Sequence, residues 1–245
     1  MNLYTSGKYL EKNPTYHIED SQYKCENFLK ILKNNNFNFL DIKNIIDVGC
    51  GAGGILKNLS GKNLFNSNFI GYDINSDAIT IAKANKNSEI KFYNQDYFTS
   101  NYYKKSDLVI CADVFEHVDD ETNFLKKLLN GSKYFLFNIP LDISLLTLLR
   151  KNCFKHTYNN VGHIHFYSKY SVLLKLEYCG FKIIDTIYAK NRLEHFTKDN
   201  ISLKRILVMM PQYVIDKVSE DLSCSIFGGY SLVVLSENPN FNQLK

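Results

Sequence analysis

The 245 residues are 45% hydrophobic and 22% charged, the balance of an ordinary soluble globular protein with a sizeable core. A net charge of +4 spread as single lysines and short pairs describes a solvated surface, not a nucleic-acid groove. Six scattered cysteines without a Cys-x-x-Cys pair read as reduced thiols and argue against zinc, no apolar run reaches transmembrane length, and the N-terminus lacks signal regions, so a cytoplasmic chain without a membrane partner is expected.

Residues 1–19 are polar and aromatic. A first helix starts at Asp20 or Ser21, with Cys25, Phe28, Leu29 and Leu32 forming one apolar stripe, and Asn34-Asn35-Asn36 ends it. The apolar run 44–48 reads as a buried strand, followed by a glycine turn and a helix over about 54–60. A second strand spans 69–73. Asn75-Ser76-Asp77 caps a helix through Ala78, Ile79, Ile81 and Ala82. Strands over 90–93 and 107–111 follow, and Asp119 or Asp120 caps a helix closed by Gly131. A fifth strand covers 134–137 and ends at Asn138-Ile139-Pro140. Residues 141–167 read as an irregular crossover rich in histidine and aromatics in its later part. Ser168 caps a helix stopped by Cys179-Gly180, a sixth strand covers 181–187, and 230–235 forms a last, antiparallel strand.

The alternation of strand and helix implies an α/β fold, a doubly wound and mostly parallel seven-stranded sheet with helices on both faces. No internal repeat or linker divides the chain. Residues 1–245 are therefore expected to form a single domain, with an N-terminal segment and helix (1–40), a core (41–190), a helical insertion or cap (191–226) and a last strand and tail (227–245). The insertion pattern of Leu203, Ile206, Leu207, Met210, Val214 and Val218 suits a cap or an oligomer surface, and a monomer or homodimer is expected. In such sheets ligands bind beyond the carboxyl ends of the strands. Asp47, Asp73, Asp96 and Asp113 stand at or just past four of those ends, which marks that rim as a binding site.

The glycine turn is ambiguous taken alone. Gly49, Gly51 and Gly54 satisfy the G-x-G-x-x-G dinucleotide pattern, and an NAD-dependent oxidoreductase is the corresponding reading. Asp47 opposes it, because a carboxylate at the strand end repels a pyrophosphate and suits a ligand carrying an amino group and a sulfonium. Asp73 follows Gly53 by 20 residues, a separation at which a carboxylate reaches both ribose hydroxyls. On Asp47-x-Gly49-x-Gly51-x-Gly53 and the acids that follow, the chain resembles the class I, seven-stranded methyltransferases over roughly residues 40–190.

That resemblance implies S-adenosylmethionine as cofactor. It places Asp47, Gly49, Cys50, Gly51 and Gly53 against the methionine part, Asp73 on the ribose with Ile74 against adenine, and Asp96 with Tyr97 by the adenine amino group. Ala112, Asp113 and His117 would face the methionine end and the acceptor. Glu116-His117-Val118, and the segment 162–168 before a helix, resemble the small-molecule branch of the family. Residues 13–24, with Tyr16, His17 and Lys24, resemble methyltransferases of bacterial surface-glycan pathways and add Tyr16 and Lys24 to the expected cofactor contacts. The fourth strand is not followed by the family's Pro-Pro-Tyr signature for planar nitrogens, and Cys111 lacks the proline expected before a pyrimidine-attacking thiol.

The expected reaction is methyl transfer to an oxygen or simple amine of a small polar acceptor such as a sugar or surface-polysaccharide precursor. Quinone-type and RNA methyltransferases and an inactive binding scaffold are the alternatives. A hydroxyl acceptor needs a general base, for which His117, His163 and His165 are the candidates. His163 and His165 alternate around Ile164 and so share one side of an extended segment. No metal site is expected, because the sequence puts no carboxylate at ligand spacing beside them.

Overall fold

The computed structural model describes residues 18–84, 89–190 and 203–241. Helix α1 (Ser21–Asn34) leads into β1 (Asn44–Val48), α2 (Gly54–Ser60), β2 (Asn68–Asp73), α3 (Ser76–Ala84), β3 (Ile90–Asn94) and β4 (Ser106–Ala112). Then come α4 (Glu121–Leu129), β5 (Ser132–Leu141), α5 (Leu145–Leu149), α6 (Cys153–Asn160), α7 (Lys169–Tyr178), β6 (Lys182–Ala189), α8 (Leu203–Val218), α9 (Glu220–Phe227) and β7 (Tyr230–Glu237). The seven strands form one sheet in the order β3-β2-β1-β4-β5-β7-β6, with β7 antiparallel to both neighbours.

Alternation along the strands supplies two cores. Ile45, Phe69 and Ile110 face α1, α2 and α3, packing with Phe28, Leu32, Leu56 and Ile79. Ile46, Val48, Ile70 and Val109 face the other way, onto Leu125, Leu128, Val172 and Leu176 of α4 and α7. Asp47 follows Ile45 by two residues and so looks toward α1, the helix that carries Lys24.

Three local expectations change. β5 runs through Pro140 to Leu141, because its pairing with β4 ends at Ala112 and Asn138, and beyond that point it pairs with β7 alone. A proline missing its N–H is tolerated where one side of the strand has no partner. The crossover is not irregular: it contains α5, started by a reciprocal cap between Ser144 and Thr147, and α6. Its leucine run hid the helix, since Leu145, Leu148 and Leu149 are all exposed and leave no amphipathic pattern to read. α8 leaves part of its apolar stripe at the surface. Met210, Val214 and Val218 are exposed, while Gln212 and Asp216 are buried. The reason is a polar network, in which Asp216 accepts hydrogen bonds from Lys190 and Tyr230 at 2.8 Å each and Gln212 donates to the Gly228 carbonyl at 3.0 Å. Finally, a bend at Ile164 and His165 breaks the extended alternation expected of the two histidines.

Candidate active site

The turn after β1 gathers the first group of expected residues. Gly49, Gly51 and Gly53 all adopt positive φ, and a side chain at Gly53 would run into the Phe92 ring. At Gly51 (φ +51) a Cβ would meet nothing within 4 Å, so bare backbone looks onto open space that a ligand can enter. Gly49, Cys50 and Gly51 line a cavity of about 290 Å³ that Lys24, Asp113 and His163 close from other elements. Beneath the turn lies Asp47, 1% exposed, with neither carboxylate oxygen hydrogen-bonded. Burial, reinforced by Asp73 and opposed by Lys24, lifts its pKa to about 7. An orphaned buried carboxylate beneath a bare glycine cradle suits the ammonium and sulfonium of S-adenosylmethionine and does not suit a pyrophosphate. The same burial, with Asp47 and Asp73 near, pushes the Cys50 thiol well above its usual range, so it is inert.

Asp73 ends β2 with its carboxylate pinned by backbone amides. Gly51 N donates to Oδ2 and Asn75 N to Oδ1, both at 2.8 Å. The group is thus fixed with further lone pairs for ribose hydroxyls. Ile74, 64% exposed, lines an adjoining cavity of about 430 Å³ together with Asp73, Asp96, Tyr97 and Phe98. Asp96 accepts from Phe98 N at 2.9 Å. Tyr97 lines this cavity as well, but it is only 2% exposed and its hydroxyl bonds Ser106 at 3.0 Å and the Gly131 carbonyl at 3.2 Å. It anchors the core behind the cavity. Tyr16 lies outside the described residues.

Asp113, just past β4, takes a left-handed backbone (φ +55) and belongs to both cavities. Lys24 reaches from α1 to its Oδ2 at 2.5 Å, and Asn138 donates to Oδ1 at 2.8 Å. Burial alone would lift the Asp113 carboxyl, but the Lys24 ammonium wins and holds it below its usual range. The ion pair brings the first helix to the end of the central strands. Ala112 lines the same cavity.

The three histidines separate. His117 hydrogen-bonds the Gly162 carbonyl through Nδ1 at 2.9 Å. Burial, with His163 beside it, drops its basicity to about 4, so it is neutral at physiological pH. His163, 6% exposed, bonds Asp142 through Nδ1 at 2.7 Å and lines the cofactor cavity. Its ring meets His117 edge-on, centroids 4.9 Å apart. His165 turns away instead: Nε2 donates to the Val118 carbonyl at 2.9 Å and Nδ1 lies 3.5 Å from Glu121. Glu121 also takes Tyr167 and Lys175, so His165 ties the crossover to α4 and does not line either cavity.

One expectation is overturned here: a carboxylate does stand beside the histidines. Glu116, His117 and His163 each place a ligand atom within 4.8 Å of the others. Glu116 is fully buried with both oxygens unpartnered, and burial plus the Asp113 charge raises it far above the usual carboxylate range, leaving it neutral. The donor set could hold a divalent ion only by displacing that proton. Sequence reasoning missed two partners, Asp142 and Asn138. Asp142 lies one residue beyond β5, but the strand was expected to stop before it, and Asn138 inside β5 carried no signal.

Residues 16–186 match the family model described as a methyltransferase domain. No curated protein matches the sequence. A methyltransferase described as SAM-dependent from Archaeoglobus fulgidus is 22% identical, with a TM-score of 0.57 over 91% of this chain and 99% of its own. Magnesium protoporphyrin IX methyltransferase of Synechocystis PCC 6803, solved with SAH, is 16% identical at a TM-score of 0.58 over 89% and 83%. The putative methyltransferase bound to the Trm112 activator of Haloferax volcanii is 11% identical at a TM-score of 0.62 over 97% of each chain. These likenesses share the fold. The family match over most of the chain supplies the rest: the protein belongs to the methyltransferase-domain family and is a class I, S-adenosylmethionine-dependent enzyme.

Proposed function

We propose that the enzyme methylates a hydroxyl, or a simple amine, of a small polar acceptor, and that a sugar or other surface-polysaccharide precursor is the acceptor class. The observation that carries the reading is the His163–Asp142 pair, 2.7 Å long, whose imidazole faces the cavity shared with the glycine turn. When bound, S-adenosylmethionine supplies a methyl group already activated by its sulfonium.

The chain's own residues do the rest. Asp47 and Asp73 hold the cationic and ribose ends, and Lys24 with Asp113 and Asn138 fixes the wall between them. Asp142 accepts the Nδ1 proton of His163, which sets the tautomer with Nε2 as acceptor. As the acceptor oxygen forms its bond to the methyl carbon, its proton passes to Nε2, and the Asp142 carboxylate steadies the imidazolium. An amine acceptor loses its proton to the same nitrogen. The acceptor classes in the neighbours' names, a porphyrin and, in a protein of Haemonchus contortus, phosphoethanolamine, are small molecules too. Among the described residues no helix is long and apolar enough to cross a membrane, and all six cysteines are free. Free thiols support a reducing, cytoplasmic setting. Asp142→Asn tests the assignment. It should leave S-adenosylmethionine affinity unchanged by calorimetry and lower kcat by about 10²- to 10⁴-fold. A normal kcat with a normal pH profile would remove the base.

A further inference from the structure

A third cavity opens beside the site. It measures about 310 Å³ and is lined by Asp142, Thr147, Arg150, Thr157 and the start of β7. Pro140 and Ser231 belong to its wall and to that of the cofactor cavity, so the two spaces adjoin. The His163–Asp142 pair stands in the partition, with the imidazole facing the cofactor side and the carboxylate the other.

Charge distinguishes this cavity. Asp142 is its one acid, and its Oδ2 is bound to His163. From there to Glu177 the chain has no acidic residue, yet it carries Arg150, Lys151 and Lys155 on and between α5 and α6. Among the described residues none of these three makes an ion pair, whereas Lys169 and Lys175 further along both do. Of the three, only Arg150 lines the cavity. A guanidinium without an ion-pair partner, on the wall of a cavity of this size whose one acid is already bound to His163, matches an oxyanion with two hydrogen-bonding oxygens.

We propose that this cavity is the acceptor subsite and that Arg150 selects an anionic acceptor, a hydroxylated small molecule bearing a phosphate or a carboxylate. The inference rests on reading the adjoining cavity as the place of methyl transfer. The anion sits against Arg150, and the molecule reaches past Pro140 and Ser231 to present its nucleophile to His163. Thr147 and Thr157 line the same space, but their hydroxyls donate to the Ser144 and Cys153 carbonyls, which leaves Arg150 as the cavity's charged donor.

The test is calorimetry on protein saturated with S-adenosylhomocysteine, so that no turnover occurs. The probes are glucose 6-phosphate, glucuronate and uncharged glucose. Saturable binding of at least one anion, with glucose weaker, is expected. Arg150→Ala should weaken that anion about tenfold or more and Arg150→Lys should fall between. Preference for the phosphate or for the carboxylate assigns the natural group. Equal binding by wild type and Arg150→Ala, binding of glucose as tight as its anions, or no saturable anion binding would each overturn the proposal. S-adenosylhomocysteine affinity, measured in the same variants, reports their folding. Its absence in the wild type would instead refute the methyl-transfer reading on which this subsite rests.

Discussion

Replacing Asp47 with asparagine separates folding from cofactor binding. In the ligand-free protein the Asp47 carboxyl rises from 3.8 to about 7, through burial first and Asp73 second. A tenfold change in acidity is worth about 1.4 kcal/mol, so the ionised group costs about 4 kcal/mol of stability. The sign follows from proton binding. Between the unfolded and folded values the native state keeps a proton that the unfolded chain has released, so stability falls as pH rises through that window. Asparagine has nearly the same shape and is neutral throughout. Its own burial penalty is the same at every pH and cancels from the comparison. The stability of Asp47→Asn relative to wild type should therefore grow by about 3 kcal/mol from about pH 5 to pH 8.5, measured by denaturant unfolding without cofactor. Saturating S-adenosylmethionine should flatten that dependence in the wild type, because a cation then neutralises the carboxylate, and the variant should bind the cofactor about 10- to 100-fold more weakly. A stability gap that stays constant or narrows with pH would refute the argument, as would unaltered cofactor affinity.

Two further outcomes are expected. His165→Ala should lose about 1–2 kcal/mol of unfolding free energy in denaturant titration, because it unties the crossover from the Val118 carbonyl, with kcat unchanged. A fall in kcat at full stability would return His165 to the chemistry. Zinc should inhibit by occupying His163 and His117 beside Glu116, while dialysis against a chelator leaves activity intact. Loss of activity on chelation, restored by a divalent ion, would make the cluster a working metal centre.

The cofactor half of the site was legible because topology places it. Asp47, Asp73, Asp96 and Asp113 sit at the carboxyl ends of adjacent parallel strands, and in a doubly wound sheet those ends converge whatever the loops do. Helix limits such as 54–60 came from local glycine chemistry, which also needs no tertiary knowledge. The acceptor half depends on contacts distant in sequence. Nothing near His165 announces that its partner is the carbonyl of Val118, and the exposed leucines of α5 imitate a buried run. In α8 the network of Lys190, Asp216 and Tyr230 buries polar side chains, and hydropathy has no access to it. The identity of the cofactor could thus be read in one dimension, while the reading of the acceptor waited for three.

The two histidines that remain in the site show how a shared environment divides their roles. Their rings touch edge-on at 4.9 Å, close enough that two positive charges would repel strongly. One must stay neutral, and His117 is the one that burial and its neighbour suppress to about 4. Its Nδ1 contact to a backbone carbonyl gives orientation without a charge to stabilise an imidazolium. His163 has the carboxylate, and a carboxylate is what a base needs once it has taken a proton. Exchanging the partners, rather than the histidines, is therefore the sharper test of the proposed function, in which Asp142 makes His163 the base and the Gly162 carbonyl leaves His117 a neutral wall.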